Sequence, residues 1–324
     1  MSSAEVHIIM GRLRTTLLAT LVLTGAGCSL RTYAVNTVGD ALASGNSIYE
    51  SDSDLDLVEA ALPFGLKLTE SLLAESPRHQ GLLLTACRGF TMYSYAFVAD
   101  DAERLTEEDL DRARALRLRA RRLYLRAADY GLRALELRYP GFEQALTADP
   151  GEAVRRIGQK SRSRDLPLLY WTAAAIGLAA SVSIDDAALL ARLPEVEAML
   201  DRAIELDEAW DDGALHEFKL IVAAARSGGT VDRAALEAHY ARALTLSRGR
   251  SAGLFVAYAE AVSLPAQDKA EFRAMLERAL AINADEQPQH RLATLVSQRK
   301  AQWLLGRIDD LILTEESGST GGSR

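Results

Sequence analysis

Val196-Glu-Ala-Met-Leu-Asp-Arg202-Ala203-Ile-Glu-Leu206 is echoed by Leu236-Glu-Ala-His-Tyr-Ala-Arg242-Ala243-Leu-Thr-Leu246 and by Phe272-Arg-Ala-Met-Leu-Glu-Arg278-Ala279-Leu-Ala-Ile282. Each stretch carries apolar residues at helical spacing around an Arg-Ala pair. The pairs stand 40 and 36 residues apart, and a further pair, Arg126-Ala127, places its alanine 76 residues before Ala203, close to twice that interval. A period in the thirties made of two helices is the tetratricopeptide class of repeat. It predicts an all-α chain whose helical pairs stack into an α-solenoid or, since the repeats are degenerate, close into a bundle. The alanine marks where the second helix of a pair approaches its neighbours and only a small side chain fits.

Composition agrees with helix throughout. Ala, Leu, Arg and Glu dominate, aromatics are only 6%, and the 48% hydrophobic share is enough to bury a core. Net charge is −8, so no basic surface is on offer for phosphate, and a nucleic-acid partner is excluded as an expectation. Pro77, Pro140, Pro150, Pro167, Pro194, Pro265 and Pro288 fall where helices are expected to start or stop, whereas Pro63 should kink or interrupt its helix.

The N-terminus reads as an export signal over residues 1–27. Arg12 and Arg14 precede an apolar run from Leu17 to Leu23, then Gly25-Ala26-Gly27 and Cys28. The run is too short for a stable transmembrane helix. A cysteine directly after small residues resembles the bacterial lipobox, which makes Cys28 the expected lipidation site and new N-terminus. Gly25 stands where that box usually has Leu. Met10 makes a better start than Met1, because Glu5 dilutes the positive head. Residues 28–54 are expected to hold the lipidated end, a short helix and a linker, residues 55–312 one helical domain, and residues 313–324 a disordered tail. Ser29 after the cysteine favours the outer membrane.

Chemistry is hard to find. His7, His79, His216, His239 and His290 are scattered without metal-ligand spacing, and no phosphate loop, nucleophile elbow or Cys-x-x-Cys occurs. Neither a catalytic residue, a metal nor a cofactor is expected, and Cys87 reads as a buried, inert thiol. Leu82 to Val98 is apolar nearly all round and should form a central helix, with Phe90, Tyr93 and Phe97 on one face and Tyr95 on another. Tyr170-Trp171 opens a second apolar helix running to Val182. Aromatics on two central helices could line a cavity for an apolar or amphipathic ligand.

The order of segments resembles the T-component family of TRAP (tripartite ATP-independent periplasmic) transporters. The bearers are Ser94-Tyr95-Ala96-Phe97-Val98; Arg121 to Gly131, with Tyr124, Ala127 and Tyr130; Asp165-Leu-Pro167-Leu-Leu-Tyr170-Trp171 on to Gly177; Gly213-Ala214-Leu215-His216-Glu-Phe218; and Ala301-Gln-Trp303-Leu304-Leu305. Ile176 stands where that family often has Trp. The resemblance implies a periplasmic lipoprotein that associates with the substrate-binding subunit of a TRAP transporter, forms homo-oligomers, and passes a hydrophobic ligand through an internal channel. Tyr93, Tyr95, Phe97, Tyr170, Trp171 and His216 are the candidates for its lining. The other expectation is an outer-membrane assembly scaffold that grips protein partners in a solenoid groove.

Overall fold

The computed structural model describes residues 35–42, 47–224 and 232–313, and the expected signal segment, Cys28 and the tail beyond Leu313 lie outside them. Among the described residues there is no strand. The main helices are α1 (Leu55–Glu75), α2 (Gln80–Tyr93), α3 (Leu110–Arg138), α4 (Arg162–Ser181), α5 (Leu193–Asp207), α6 (Ala214–Ala224), α7 (Arg233–Leu246), α8 (Ala252–Tyr258), α9 (Lys269–Leu280) and α10 (Arg291–Gly306).

Side-chain caps fix many of the starts. Asp54, Asp109, Asp232 and Asp268 each accept a hydrogen bond from the backbone N–H three residues on, and Ser251 does the same for Leu254. Such a cap is worth about 1 kcal/mol to its helix.

Two prolines behave differently from the sequence expectation. α1 runs through Pro63 without interruption, and Pro167 sits inside α4 rather than at its end. Both helices bury long apolar faces. Val58, Leu62, Leu66 and Leu73 in α1, and Leu169, Ala173, Ile176 and Ala180 in α4, are all buried, and this packing outweighs one lost backbone bond. α4 also begins at Arg162, eight residues before Tyr170.

The alanine of each Arg-Ala pair is buried, namely Ala127, Ala203, Ala243 and Ala279. One core joins α1 to α6, with α3 packing most extensively on α4 and α2. Two smaller clusters hold α6 to α10 together. The array then turns back on its beginning. Arg291 of α10 donates to the Ser51 carbonyl at 2.6 Å, Arg299 donates to the Ala96 carbonyl, and Lys300 reaches Glu103 at 3.1 Å. The last helix thus closes against the first ones, and two cavities lie between the halves.

Two helices change pitch on the way. Beyond Tyr93, α2 continues as a π-helical segment, Ser94–Ala99, and beyond Tyr258, α8 continues as Ala259–Ser263. A π-turn leaves a carbonyl without its usual partner four residues on, and such turns gather at functional sites. The Ala96 carbonyl takes its hydrogen bond from Arg299.

Candidate functional site

The larger cavity, about 890 Å³, lies between the two π segments. Tyr95 and Ala99 border it from the first segment and Glu260 from the second, with Tyr124 from α3, Leu178 from α4 and Lys300 from α10. Its rim carries the exposed residues Arg114, Leu118, Ile184 and Asp185. Deeper in, Lys300 bridges Glu260 at 2.8 Å and Glu103 at 3.1 Å. Burial alone would lower the Lys300 ammonium, but the two carboxylates hold it well above its ordinary value. Burial pushes Glu260 up, and Lys300 pulls against that. Beside the cluster, Asp100 pairs with Arg104 at 2.8 Å and Arg299 at 3.1 Å.

The smaller cavity, about 250 Å³, has Tyr170, Trp171 and Arg88 on one side and Asp211, Asp212 and Glu217 on another. Tyr170 stands at the centre of an aromatic group, 5.0 Å from Trp171, 4.9 Å from Trp210 and 5.8 Å from Phe218 by ring centroids. Burial drives its hydroxyl far up. The Arg88 guanidinium lies 5.3 Å over the Trp171 ring and pairs with Glu50. Asp211 and Asp212 sit on a left-handed turn, with φ of 49° and 52°, followed by Gly213 at 95°. Asp tolerates that conformation better than most residues do. Arg250 also borders the cavity and has no carboxylate partner among the described residues.

The two cavities adjoin. Gly253 of α8 and Ser297 of α10 border both. Glu217 of α6 lies against this join, held by the Ser251 hydroxyl, which donates to it at 2.6 Å. A Cβ on Gly253 would stand 2.3 Å from Glu217 Oε1, so the backbone approaches this closely only because residue 253 is glycine. Burial raises the Glu217 carboxyl to about 7.

The candidates from sequence are therefore divided. Tyr95 borders the larger cavity, and Tyr170 and Trp171 the smaller. Tyr93, Phe97 and His216 border neither of the two. Tyr93 accepts from Arg119 at 3.2 Å and lies 5.9 Å from Phe97, which is 1% exposed. His216 donates from Nε2 to Glu208 at 3.1 Å, which leaves Nδ1 to accept from His239 at 2.8 Å. Burial lowers both histidines below their ordinary value. Glu217, Glu260 and Lys300 carry no signal in the sequence, because a carboxylate or a lysine on a helical face reads as solvated, and a single glycine such as Gly253 carries none either. Cys87 is fully buried beside Thr172, and burial raises its thiol to about 12.

Among the described residues, no helix is long and apolar enough to cross a membrane. The family model described as "TRAP transporter T-component" matches residues 51–312. An uncharacterized protein of Treponema pallidum (strain Nichols) is 30% identical over 305 residues, which cover 89% of this chain and 94% of that protein. The chain belongs to the TRAP transporter T-component family, a family of transporter components and not of enzymes.

Proposed function

We propose that the chain is a periplasmic lipoprotein, anchored through Cys28 to a bacterial membrane, the outer one favoured. In this reading it serves a TRAP transporter by binding the substrate-binding subunit as a homo-oligomer, and it houses a hydrophobic or amphipathic ligand between its helices. Family membership supports the transport setting. The observation that carries the ligand is the pair of adjoining cavities, bordered by Tyr95 on one side of the join and by Tyr170 and Trp171 on the other. The larger has an apolar wall of Leu178, Val182, Ile221, Val256 and Val296 beside its charged groups, while the smaller is lined mainly by polar side chains around Tyr170 and Trp171, so together they offer an amphipathic ligand both kinds of surface.

A second reading, a tetratricopeptide-type scaffold that grips protein partners, is favoured by the exterior of α1. Leu57, Phe64 and Leu68 are 56%, 75% and 38% exposed and recur at helical spacing along one side.

Native mass spectrometry of residues 29–324, alone and with the cognate substrate-binding subunit, tests the choice. A discrete complex supports the transport accessory. No association across micromolar concentrations moves the assignment to the scaffold.

A further inference from the structure

The smaller cavity is bordered by polar side chains that the protein itself leaves unused. Gln287 is 8% exposed and Thr294 5%, yet the side chain of neither forms a hydrogen bond with a described residue. Buried amides and hydroxyls are nearly always paired, so two of them on one chamber point to a partner that arrives from outside. The hydroxyl of Tyr170, which also borders the chamber, donates to no described residue either. Water can satisfy these neutral groups, and the charges decide what more is needed.

Those charges are of both signs and unmatched. Glu217 is held only by the Ser251 hydroxyl at 2.6 Å, and Asp211 has no ion pair among the described residues. The two acids lie within electrostatic reach of each other. Arg250 precedes Ser251 in the chain, so its side chain starts one residue from the group that holds Glu217, yet it forms no ion pair with either acid. Its one hydrogen bond runs 3.4 Å from Nε to the Ser247 carbonyl. The other charges here have partners, Arg88 with Glu50 and His290 with Asp212 at 3.5 Å. Acid and base thus stand on one chamber without meeting. A lone cation would leave Arg250 unmatched, and a lone anion would leave Glu217 and Asp211 so. A molecule carrying both signs answers both sides.

We propose that the smaller cavity receives a small zwitterion, its ammonium beside Glu217 and Asp211 and its carboxylate on Arg250, while Gln287, Thr294 and Tyr170 hydrogen-bond its remaining polar atoms. The inference rests on the reading that the cavities house a ligand, and it names the polar chemistry that the smaller one accepts. At about 250 Å³ the chamber falls just below the common range of about 300–1,000 Å³, which suits a molecule of metabolite size. A guanidinium holds a carboxylate through two parallel hydrogen bonds, and such charged contacts are about twice as strong as neutral ones.

Calorimetric titration of the soluble chain, residues 29–324, with glycine, 4-aminobutanoate and 6-aminohexanoate tests the assignment, each beside its matched carboxylate and its matched alkylammonium. At about pH 8 the Glu217 carboxyl, which titrates at about 7, is largely ionised and the ammonium groups keep their protons. One spacing should bind at least about tenfold tighter than either matched single ion. Arg250→Ala weakens that zwitterion about tenfold and spares the matched alkylammonium, whereas Glu217→Gln weakens it about tenfold and spares the matched carboxylate. Both variants keep the fold, since Arg250 has no ion pair to lose and glutamine still accepts from Ser251. A merely structural role for either residue would not produce that crossed pattern. A single ion that binds as tightly as the zwitterion, or two variants that lose every ligand alike, overturns the assignment. So does a failure of all three zwitterions to bind, which leaves the chamber to water. Uncharged 1-octanol reports the apolar wall of the larger cavity separately. Octanol bound without any zwitterion overturns this assignment alone, and neither bound overturns the ligand-housing reading as well. A zwitterion bound without octanol upholds the assignment and removes the apolar part of that reading.

Discussion

The two cavities share a boundary but differ in how their buried carboxylates are held. In the larger, the inner charges are tied to partners, with Lys300 between Glu103 and Glu260 and Asp100 between Arg104 and Arg299. In the smaller, Arg88 keeps Glu50 and His290 lies 3.5 Å from Asp212, but the Glu217 carboxyl is held only by a serine hydroxyl, and Arg250 forms no ion pair with a described residue. The lesson is that burial stabilises a network only when each ion keeps its partner. A lone carboxyl answers burial by holding its proton.

The largest expected effect comes from breaking the paired side. Lys300→Met leaves Glu103 and Glu260 facing each other without their cation and should destabilise the fold by about 3 kcal/mol, seen in urea unfolding at neutral pH. Loss of stability within a few tenths of the wild type would mean that water already screens the cluster. Next, Gly253→Val drives a branched side chain into Glu217 at the join, for about 2 kcal/mol of destabilisation. The same variant should separate the chambers, so that a probe occupying one no longer displaces a probe in the other.

Glu217→Gln is smaller and depends on pH. The folded carboxyl titrates at about 7 against an ordinary 4.5, so in that window the native state keeps a proton that the unfolded chain has released. Wild-type stability therefore falls as pH rises through the window and levels off above it. Relative to wild type, the variant should gain about 1–3 kcal/mol between about pH 4 and pH 8, measured as melting temperature against pH. Parallel curves for the two proteins would return Glu217 to an ordinary solvated acid. The smallest effect belongs to Arg250→Ala, within about 0.5 kcal/mol, because no ion pair is lost. A large loss would reveal a partner and erase the contrast between the cavities.

Much of the architecture could be read from residues alone. The Arg-Ala pairs picked out alanines that are all buried, and the apolar stretch at Leu82 is a helix with neighbours on several sides. Other features have no local signal. Ser94-Tyr95-Ala96-Phe97-Val98-Ala99 has nothing that separates a π pitch from an α pitch, since the extra residue is accommodated by Arg299, two hundred positions away in the chain. Local propensity makes Pro63 a kink or break within its helix and Pro167 a helix boundary, and tertiary burial overrules both. For the cavities, aromatic spacing located Tyr95, Tyr170 and Trp171 but could not tell them from Tyr93 and Phe97, which pack against each other and against arginines. The residues at the join come from α6, α8 and α10, and only the closing of the array brings them together.

The turn at Asp211 and Asp212 is wound with the hand opposite to that of the helices around it. An L-residue takes up such a backbone against its preference, and a D-residue takes it up willingly. A chain assembled by peptide ligation with D-aspartate at both positions should thus form the same turn with less strain, while its Cβ atoms leave the backbone on the mirror side. The carboxylates would then be redirected away from the smaller cavity although composition, charge and main-chain path are unchanged. Chirality, rather than residue identity alone, fixes where these two charges are delivered.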